Sequence, residues 1–518
     1  MPRLAAGGLM KVLLIQPPKR FWPYISADDN FLTPQWMPCL AASARAAGHT
    51  VATVDCAPLK MGWKSLAETI KRVDPDAVGV GENHAVYSHE SIRALKLAKE
   101  ICPGAKTIAG GSHFTNLIED TLKNDFIDYI VCREGEESFV ELLAAIPDGE
   151  SAVGGVRGIA FRKDGRAVET PPRPLIGDLD SLPLPAYDLM PMHLYGTSKF
   201  LFSPGGATIH HSRGCVSNCR FCAWWRQMAD VEQSEDGSVS LKPRWRTKSV
   251  EKTIAEIRVL AEKHNKRCLV FVDEYWNKDP EWSANFADAL ITENLGVEWF
   301  AFMRADAVIR DEKSGVFEKL ARSGLVHVSI GVERVEQDEL KGMGKPFYSE
   351  NTAIECFGIL KNKYPNIFRQ GTFIVGVRHE TPASMLAQAD FARRLELDYP
   401  GFHPITPVPG TAFWSEAEAA GWIETRDFAD YDWMTPIISS ENMSRERIEE
   451  LLIVLSKRFV SLKWFLKGIT SKGLYKRKMY IWWLIVTIRV LLTSIRSFVW
   501  PFKTKVYAGL VKPPWYDD

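Results

Sequence analysis

From Lys11 onward, short apolar runs alternate with longer stretches whose apolar positions recur at helical spacing, and the alternation continues through most of the chain. Strands that are apolar on both faces need helices on both sides, so the pattern restricts the chain to α/β layering with mainly parallel strands. In the first block a strand runs from Lys11 into the loop at Pro17 and Pro18, and further strands are expected at 50–55, 77–81, 107–109 and 127–131. Helices are expected between and after them at 40–47, 65–72, 88–101, 116–123 and 136–145. This predicts a doubly wound, Rossmann-like parallel sheet. In the second block strands are expected at 207–211, 268–272, 298–302, 326–330, 370–375 and 399–404. The helices of this block are expected at 249–264, 281–293, 313–323, 349–362 and 382–395, which predicts a partial (β/α)6 barrel. The two blocks are separated by a hairpin pattern, 156–161 and 166–170, and a proline-rich run through Pro171, Pro172, Pro174, Pro183, Pro185 and Pro191 that suits a linker. At 518 residues the length fits two to four domains.

In open parallel sheets, ligands lie beyond the carboxyl ends of the strands, where small residues let a large molecule approach the backbone. The loops at those ends are 79–84, 110–113 and 133–136, and they hold Gly81, Gly110, Gly111, His113, Glu134 and Gly135. Together they suggest a cofactor shelf. The plain alternative is that each glycine serves a turn and that His84, His89 and His113 are ordinary hydrogen-bonding groups.

The sharpest chemical signal is Cys215, Cys219 and Cys222, a CxxxCxxC spacing directly after the strand expected at 207–211. Three thiolates so spaced hold three corners of a four-iron cluster and leave the fourth iron open to a small molecule, whereas an electron-transfer cluster normally has every iron tied to protein. The alternative, structural zinc, wants four closed ligands. The sequence has no second CxxC pair, and His210 and His211 would point to opposite faces of a strand. The other six cysteines are scattered singly in apolar segments, so they read as reduced thiols of a cytoplasmic protein. Polar residues recur where the barrel strands end: Asp273, Glu274, Arg304, Glu333 and Arg378. Charges that recur around one cavity are better explained by a site than by solvated loops.

Lys plus Arg and Asp plus Glu each number 64, so overall charge gives no case for nucleic-acid binding. From Lys457 onward, however, thirteen Lys or Arg face only Asp517 and Asp518. Trp464, Phe465, Leu466, Tyr480, Trp482, Trp483, Leu484 and Ile488 are interleaved there with Lys476, Arg477, Lys478, Arg489 and Arg496. Such a tail either lies in a membrane interface or packs on the barrel with its cations solvated. The start, Met1 to Met10, has no evident signal peptide, and the apolar stretch 481–492 is interrupted by Arg489 and too short to span a bilayer.

With these features the chain resembles a radical S-adenosylmethionine enzyme carrying an N-terminal cobalamin-binding domain. The resemblance runs from Lys11 to the basic tail, and the cysteine triplet is its most specific part. It implies a cobalamin-binding domain at 10–150, a linker with a hairpin at 151–200, a radical SAM barrel at 201–410 and a helical, basic, aromatic region at 411–518. The cofactors implied are a [4Fe–4S] cluster on Cys215, Cys219 and Cys222, S-adenosylmethionine on its open iron, and cobalamin on the shelf residues. By the same analogy Asp273 and Glu274 contact the methionine amine, Arg304, Ser329 and Glu333 lie near the ribose or carboxylate, and Phe373 to Gly376 flank the adenine.

Several stretches are similar to the anaerobic magnesium-protoporphyrin monomethyl ester cyclases: 110–113, 134–136, 219–222, 324–333, 373–376 and 434–438. Two features depart from that group. Arg133 stands where those cyclases usually have glycine, and Thr406-Pro-Val-Pro-Gly-Thr411 looks like a motif of cobalamin-dependent methylases. No Asp-x-His-x-x-Gly run is present, so a histidine lower ligand to cobalt is not expected. The resemblance implies a 5′-deoxyadenosyl radical acting on an unactivated carbon, with methyl transfer through methylcobalamin as the leading reaction. Oxidative cyclisation of a tetrapyrrole and a non-catalytic cobalamin or iron-sulfur carrier are the alternatives. Its expected partners are a small-molecule, lipid-like or tetrapyrrole-like substrate and an electron donor such as flavodoxin or ferredoxin. Its expected location is the cytoplasm, with peripheral contact to the inner face of the membrane through the tail.

Overall fold

The computed structural model describes residues 8–25, 31–233, 239–499 and 509–518. The first seven residues and the Arg496 side chain, both considered above, lie outside the described residues.

The N-terminal sheet has seven strands: β1 (Lys11–Gln16), β2 (Thr50–Asp55), β3 (Ala77–Gly81), β4 (Lys106–Gly110), β5 (Tyr129–Val131), β6 (Ile159–Lys163) and β7 (Arg166–Glu169). Their order is β2-β1-β3-β4-β5-β6-β7. β1 to β5 are parallel, with Leu13 facing Ala52 on one side and Val78 on the other. β1 shows why the run is apolar throughout. Val12 and Leu14 enter the core under the helices Trp36–Ala46 and Glu136–Ala145, while Leu13 and Ile15 enter a second core under Trp63–Val73 and Ser88–Ile101. The chain leaves β1 toward β2 and returns to β3 on the other side, which opens a switch-point crevice at the carboxyl ends of β1 and β3. The hairpin expected in the linker is part of this sheet, since β6 and β7 extend it antiparallel from β5. The helix expected at 116–123 is broken into Ser112–Asn116 and Ile118–Leu122 around Leu117, whose φ of −132° is not helical.

The second unit begins with β8 (Gly206–Ile209) and β9 (Ser212–Gly214), then β10 (Asp230–Gln233), β11 (Val239–Lys242) and β12 (Trp245–Thr247). Its remaining strands are β13 (Cys268–Phe271), β14 (Glu298–Met303), β15 (Leu325–Glu333), β16 (Phe368–Val375) and β17 (Tyr399–Pro404). Six of these form a parallel curved sheet in the order β17-β16-β15-β14-β13-β8, while β9 pairs with β12 and β10 with β11 as antiparallel ladders. The molecule is thus a doubly wound sheet followed by a six-stranded partial barrel and a helical C-terminal region. The carboxyl ends of the two sheets face each other: Ala85, just past β3, packs in one cluster with Val377 and Ile405, which follow β16 and β17.

The tail closes the opposite end of the barrel. Tyr475, Met479 and Tyr480 of the helix Leu474–Val499 pack against Cys268 and Phe368 at the amino ends of β13 and β16. Tyr475 and His327 of β15 are hydrogen-bonded at 3.0 Å, and Trp483 stacks on Tyr399 at 3.7 Å between ring centroids. Asp398 accepts from Lys476 Nζ at 2.7 Å and from Tyr480 Oη at 2.8 Å. Much of the aromatic content of the tail is therefore spent on the barrel base, with Tyr480 and Trp482 buried. No helix among the described residues is long and apolar enough to cross a membrane. Residues 509–518 travel back to the N-terminal unit. Val511 and Phe21 exchange backbone hydrogen bonds, and the Asp518 carbonyl accepts from Lys64 N–H at 2.7 Å in the first turn of the helix Trp63–Val73.

Candidate active site between the two sheets

The cysteine loop hangs from β8 and β9 and is pinned on several sides. Gly214 has φ +89°, and a Cβ there would lie 2.1 Å from the Arg244 carbonyl. Trp225 Nε1 donates to Cys219 O at 3.0 Å, Arg220 N–H to Met343 O at 3.0 Å, and Arg304 Nη1 to Ser217 Oγ at 2.7 Å. The three thiols are half-buried and free of disulfides. Burial pushes Cys219 up to about 11 and Cys222 to about 12, and charge on the neighbouring thiols of the triplet adds to both shifts. Such a loop resists losing its protons unaided and needs metal charge to hold three thiolates.

The histidines that a zinc site would need are committed elsewhere. His211 Nδ1 lies 2.7 Å from Asp273, with its ring stacked on Trp282 at 4.0 Å, and His210 Nε2 accepts from Arg213 Nε at 3.4 Å. Among the described residues no group of three or more His, Cys, Asp or Glu is arranged around a single ion. Three half-buried thiols on one short loop, free of disulfides, fit the three protein corners of a four-iron cluster.

The remaining barrel residues fall into two sets. Asp273 is buried beneath the loop, where its Oδ1 accepts from the backbone N–H of His211 at 3.1 Å and of Ser212 at 2.6 Å. Glu274 Oε2 accepts from Gly214 N–H at 3.0 Å, and burial raises its pKa to about 7. Arg304 stands at the end of β14, paired with Asp306 at 2.7 Å and lying 3.7 Å above the centre of the Phe347 ring. Glu333, at φ +63°, accepts from Lys345 Nζ at 3.0 Å. These four surround the cysteine loop directly or through one neighbour.

Ser329 lies within β15 and Gly376 just past β16. Ser329 is buried in β15, in register with Gln370. Gly376 has φ +73° and faces the helix Arg445–Phe459, where a Cβ would lie 3.1 Å from Ile448. Arg378 donates to Ser439 O at 2.6 Å over the Trp422 ring. Sequence reasoning did not single out Lys345, which also donates to Gly331 O at 2.7 Å and favours the Cys219 thiolate by its charge. The glycines on either side of Met343 were the available signal: Gly344 has φ +80°, and a Cβ there would lie 3.3 Å from Cys219 Cα. Two apolar side chains also open into the barrel. Trp299, Ala301 and Met303 of β14 and Leu269 and Phe271 of β13 belong to the outer core, so Phe302 and Val272 point inward, where they are 40% and 41% exposed.

Opposite the cysteine loop lies the crevice of the N-terminal sheet. Gly81 is in register with Gly110, and Gly110 with Val131. Gly111 has φ +94°, and a Cβ there would lie 2.4 Å from Glu82 O, so only glycine fits this turn. Glu82 is buried 3.3 Å from Lys19. Burial works against its charge, but Lys19 and His84 hold its pKa at about 2. His113 is buried with Nδ1 unpartnered among the described residues, and burial pushes its pKa down to about 4. The glycines here serve close packing, since a Cβ at Gly81 would lie 2.8 Å from Trp36, while the orphaned Nδ1 of His113 fits a polar ligand at the carboxyl end of the sheet.

Glu134 and Glu136 have different work, because they bridge the two units. Arg213 reaches Glu134 at 2.8 Å and Glu136 at 2.5 Å, and Arg246 Nη1 donates to both oxygens of Glu134, at 2.8 and 3.0 Å. Gly135 between them precedes the helix Glu136–Ala145. The crevice meets the cysteine-loop unit at two further points: the His84 and Trp224 rings pack edge to face with centroids 5.6 Å apart, and Arg133 Nε donates to Gln227 O at 3.1 Å.

This architecture agrees with two family models, the B12 binding domain over residues 24–143 and the radical SAM superfamily over 209–392. The chain is a radical SAM enzyme with an N-terminal cobalamin-binding domain, and its cofactors are cobalamin, S-adenosylmethionine and a [4Fe–4S] cluster. It is 29% identical over 450 residues to an uncharacterized methyltransferase of Pyrococcus horikoshii, covering 86% of this chain and 91% of that one. It is also 29% identical over 454 residues to the anaerobic magnesium-protoporphyrin IX monomethyl ester cyclase of Rubrivivax gelatinosus, covering 86% of this chain and 77% of that one. The radical S-adenosylmethionine methyltransferase TsrM of Kitasatospora setae, solved with cobalamin and a [4Fe–4S] cluster, superposes with a TM-score of 0.67 at 15% identity over 94% of this chain and 100% of that one.

Proposed function

We infer that the enzyme methylates an unactivated carbon of a largely apolar small molecule. When bound, the cluster with S-adenosylmethionine supplies a 5′-deoxyadenosyl radical and cobalamin supplies a methyl carrier. The observation that carries the reading is the direct abutment of the two sites. His84 meets Trp224 and Arg133 meets Gln227, so the carboxyl end of the first sheet is in direct contact with the segment that follows the cysteines. In this reading Arg304 and the Glu333–Lys345 pair orient S-adenosylmethionine, Asp273 and Glu274 hold the loop that carries the cluster, and Phe302 and Val272 offer an apolar wall to the substrate. A flavodoxin or ferredoxin of the cytoplasm delivers the electron.

Oxidative cyclisation of a tetrapyrrole is the second reading, favoured by the Rubrivivax relative. Anaerobic reconstitution followed by electron paramagnetic resonance with and without S-adenosylmethionine tests the shared chemistry. The expected result is a changed cluster signal in the wild type and none in Cys219→Ala. An unchanged wild-type signal overturns both readings. With tetrapyrrole esters and lipid precursors as candidate substrates, methyl transfer yields S-adenosylhomocysteine beside 5′-deoxyadenosine. Cyclisation yields 5′-deoxyadenosine without it.

A further inference from the structure

Arg133 is held in an unfavourable backbone conformation and left with donors that the protein does not use. It follows β5 at the carboxyl edge of the N-terminal sheet, with φ +66°, a conformation that costs a branched or long side chain about 1 kcal/mol relative to glycine. Its backbone N–H donates to Thr115 Oγ1 at 3.2 Å and its Nε to Gln227 O at 3.1 Å, which places the guanidinium at the junction between the first sheet and the cysteine-bearing unit. There Nη1 and Nη2 are both shielded from solvent, and neither has a hydrogen-bond partner among the described residues.

The nearby carboxylates are already engaged. Glu134 is taken by Arg213 and Arg246, and Asp230 accepts from Arg244 at 2.9 Å. A guanidinium keeps its charge in proteins and has no acceptor function, so two dry, parallel N–H groups call for oxygen acceptors brought by a ligand. Cobalamin offers two kinds at its periphery: the carbonyls of the corrin side-chain amides and the phosphate of the nucleotide loop.

We propose that Arg133 is a cobalamin-positioning residue whose Nη1 and Nη2 donate to peripheral oxygens of the cofactor, while Nε ties that contact to the cluster-bearing domain through Gln227. Arg133 then reports cobalamin occupancy to the segment just after Cys222. The inference rests on the cobalamin assignment, which wild-type binding checks independently.

The experiment is an absorbance titration of the full-length protein with hydroxocobalamin, and in parallel with cobinamide, which lacks the nucleotide loop and its phosphate. Wild type, Arg133→Gly and Arg133→Lys are compared, with anaerobic thermal unfolding and the cluster spectrum recorded for each. Glycine relieves the positive φ, so Arg133→Gly retains its melting temperature and its cluster. Its affinity for hydroxocobalamin falls about tenfold or more, the usual consequence of losing charge-assisted hydrogen bonds, and Arg133→Lys recovers part of the loss. An equal loss with cobinamide assigns the acceptors to the corrin amides, and a loss confined to hydroxocobalamin assigns them to the phosphate. Unchanged affinity in Arg133→Gly overturns the proposal. So does an affinity loss that comes with a lower melting temperature and a missing cluster, since Arg133 is then only a brace between domains. A wild type that binds neither corrinoid overturns the cobalamin assignment itself.

Discussion

At the scale of single residues, the chemistry depends on side chains that are paired across the domain boundary. Arg213 stands two positions before Cys215 and is buried between Glu134 and Glu136 of the other unit. Removing one member of a buried ion network leaves its partner charged in a medium that does not solvate it. Arg213→Ala leaves Glu134 with Arg246 but strips Glu136 of its cation. The expected cost is about 3–5 kcal/mol, read as a lower urea midpoint, together with poor retention of iron after desalting. Stability kept at the wild-type value would show that the network is hydrated rather than dry. The cysteine triplet stands out in the sequence because spacing on one short loop is a local property. The role of Glu134 was not, because a carboxylate beside glycine at a strand end reads as a ligand contact until the arginine opposite it is located.

At the scale of elements, the helix Leu474–Val499 serves as the floor of the barrel. Asp398 is its main polar anchor: it accepts from Arg369 Nη2 at 3.0 Å, Lys476 Nζ at 2.7 Å and Tyr480 Oη at 2.8 Å. Asp398→Ala leaves two cations buried together, and the expected loss is again about 3–5 kcal/mol in urea unfolding. Protease cleavage within the released tail provides a second readout. His327 makes the same junction sensitive to acid. Burial lowers its pKa from 6.5 to about 3, so below pH 6.5 the unfolded chain binds a proton that the folded chain refuses. The sign is therefore a stability lost as pH falls from 6.5 toward 3, at about 1.4 kcal/mol per pH unit, and fully present above 6.5. His327→Gln flattens that part of the pH dependence. A slope unchanged in the variant would assign the acid sensitivity to other groups. The sequence showed the helical character of this segment, but its aromatic and basic residues suited a membrane interface equally well. Which surface an amphipathic helix covers depends on what lies opposite it.

At the scale of the whole molecule, the chain closes on itself. Residues 509–518 return to the N-terminal unit, where Tyr516 is buried beside Trp63 and its hydroxyl donates to Glu90 at 3.2 Å. Tyr516→Ala removes a packed ring and is expected to cost about 3–5 kcal/mol. Faster hydrogen exchange in the helix Trp63–Val73, with the barrel strands unaffected, locates that cost. Unfolding at the wild-type midpoint would show that this segment detaches freely. The amino-acid sequence by itself determined the two α/β units, the positions of most strands, the cysteine loop and the class of chemistry. All of these rest on backbone periodicity and ligand spacing, which act over a few residues. Only the tertiary structure decided that the hairpin extends the first sheet, that the tail floors the barrel, that Glu134 joins the domains and that the last residues brace the first unit. Those outcomes are set by contacts between residues 32, 79, 148 and 426 positions apart, where no local pattern specifies which partner pairs a strand, shields a charge or fills a cavity.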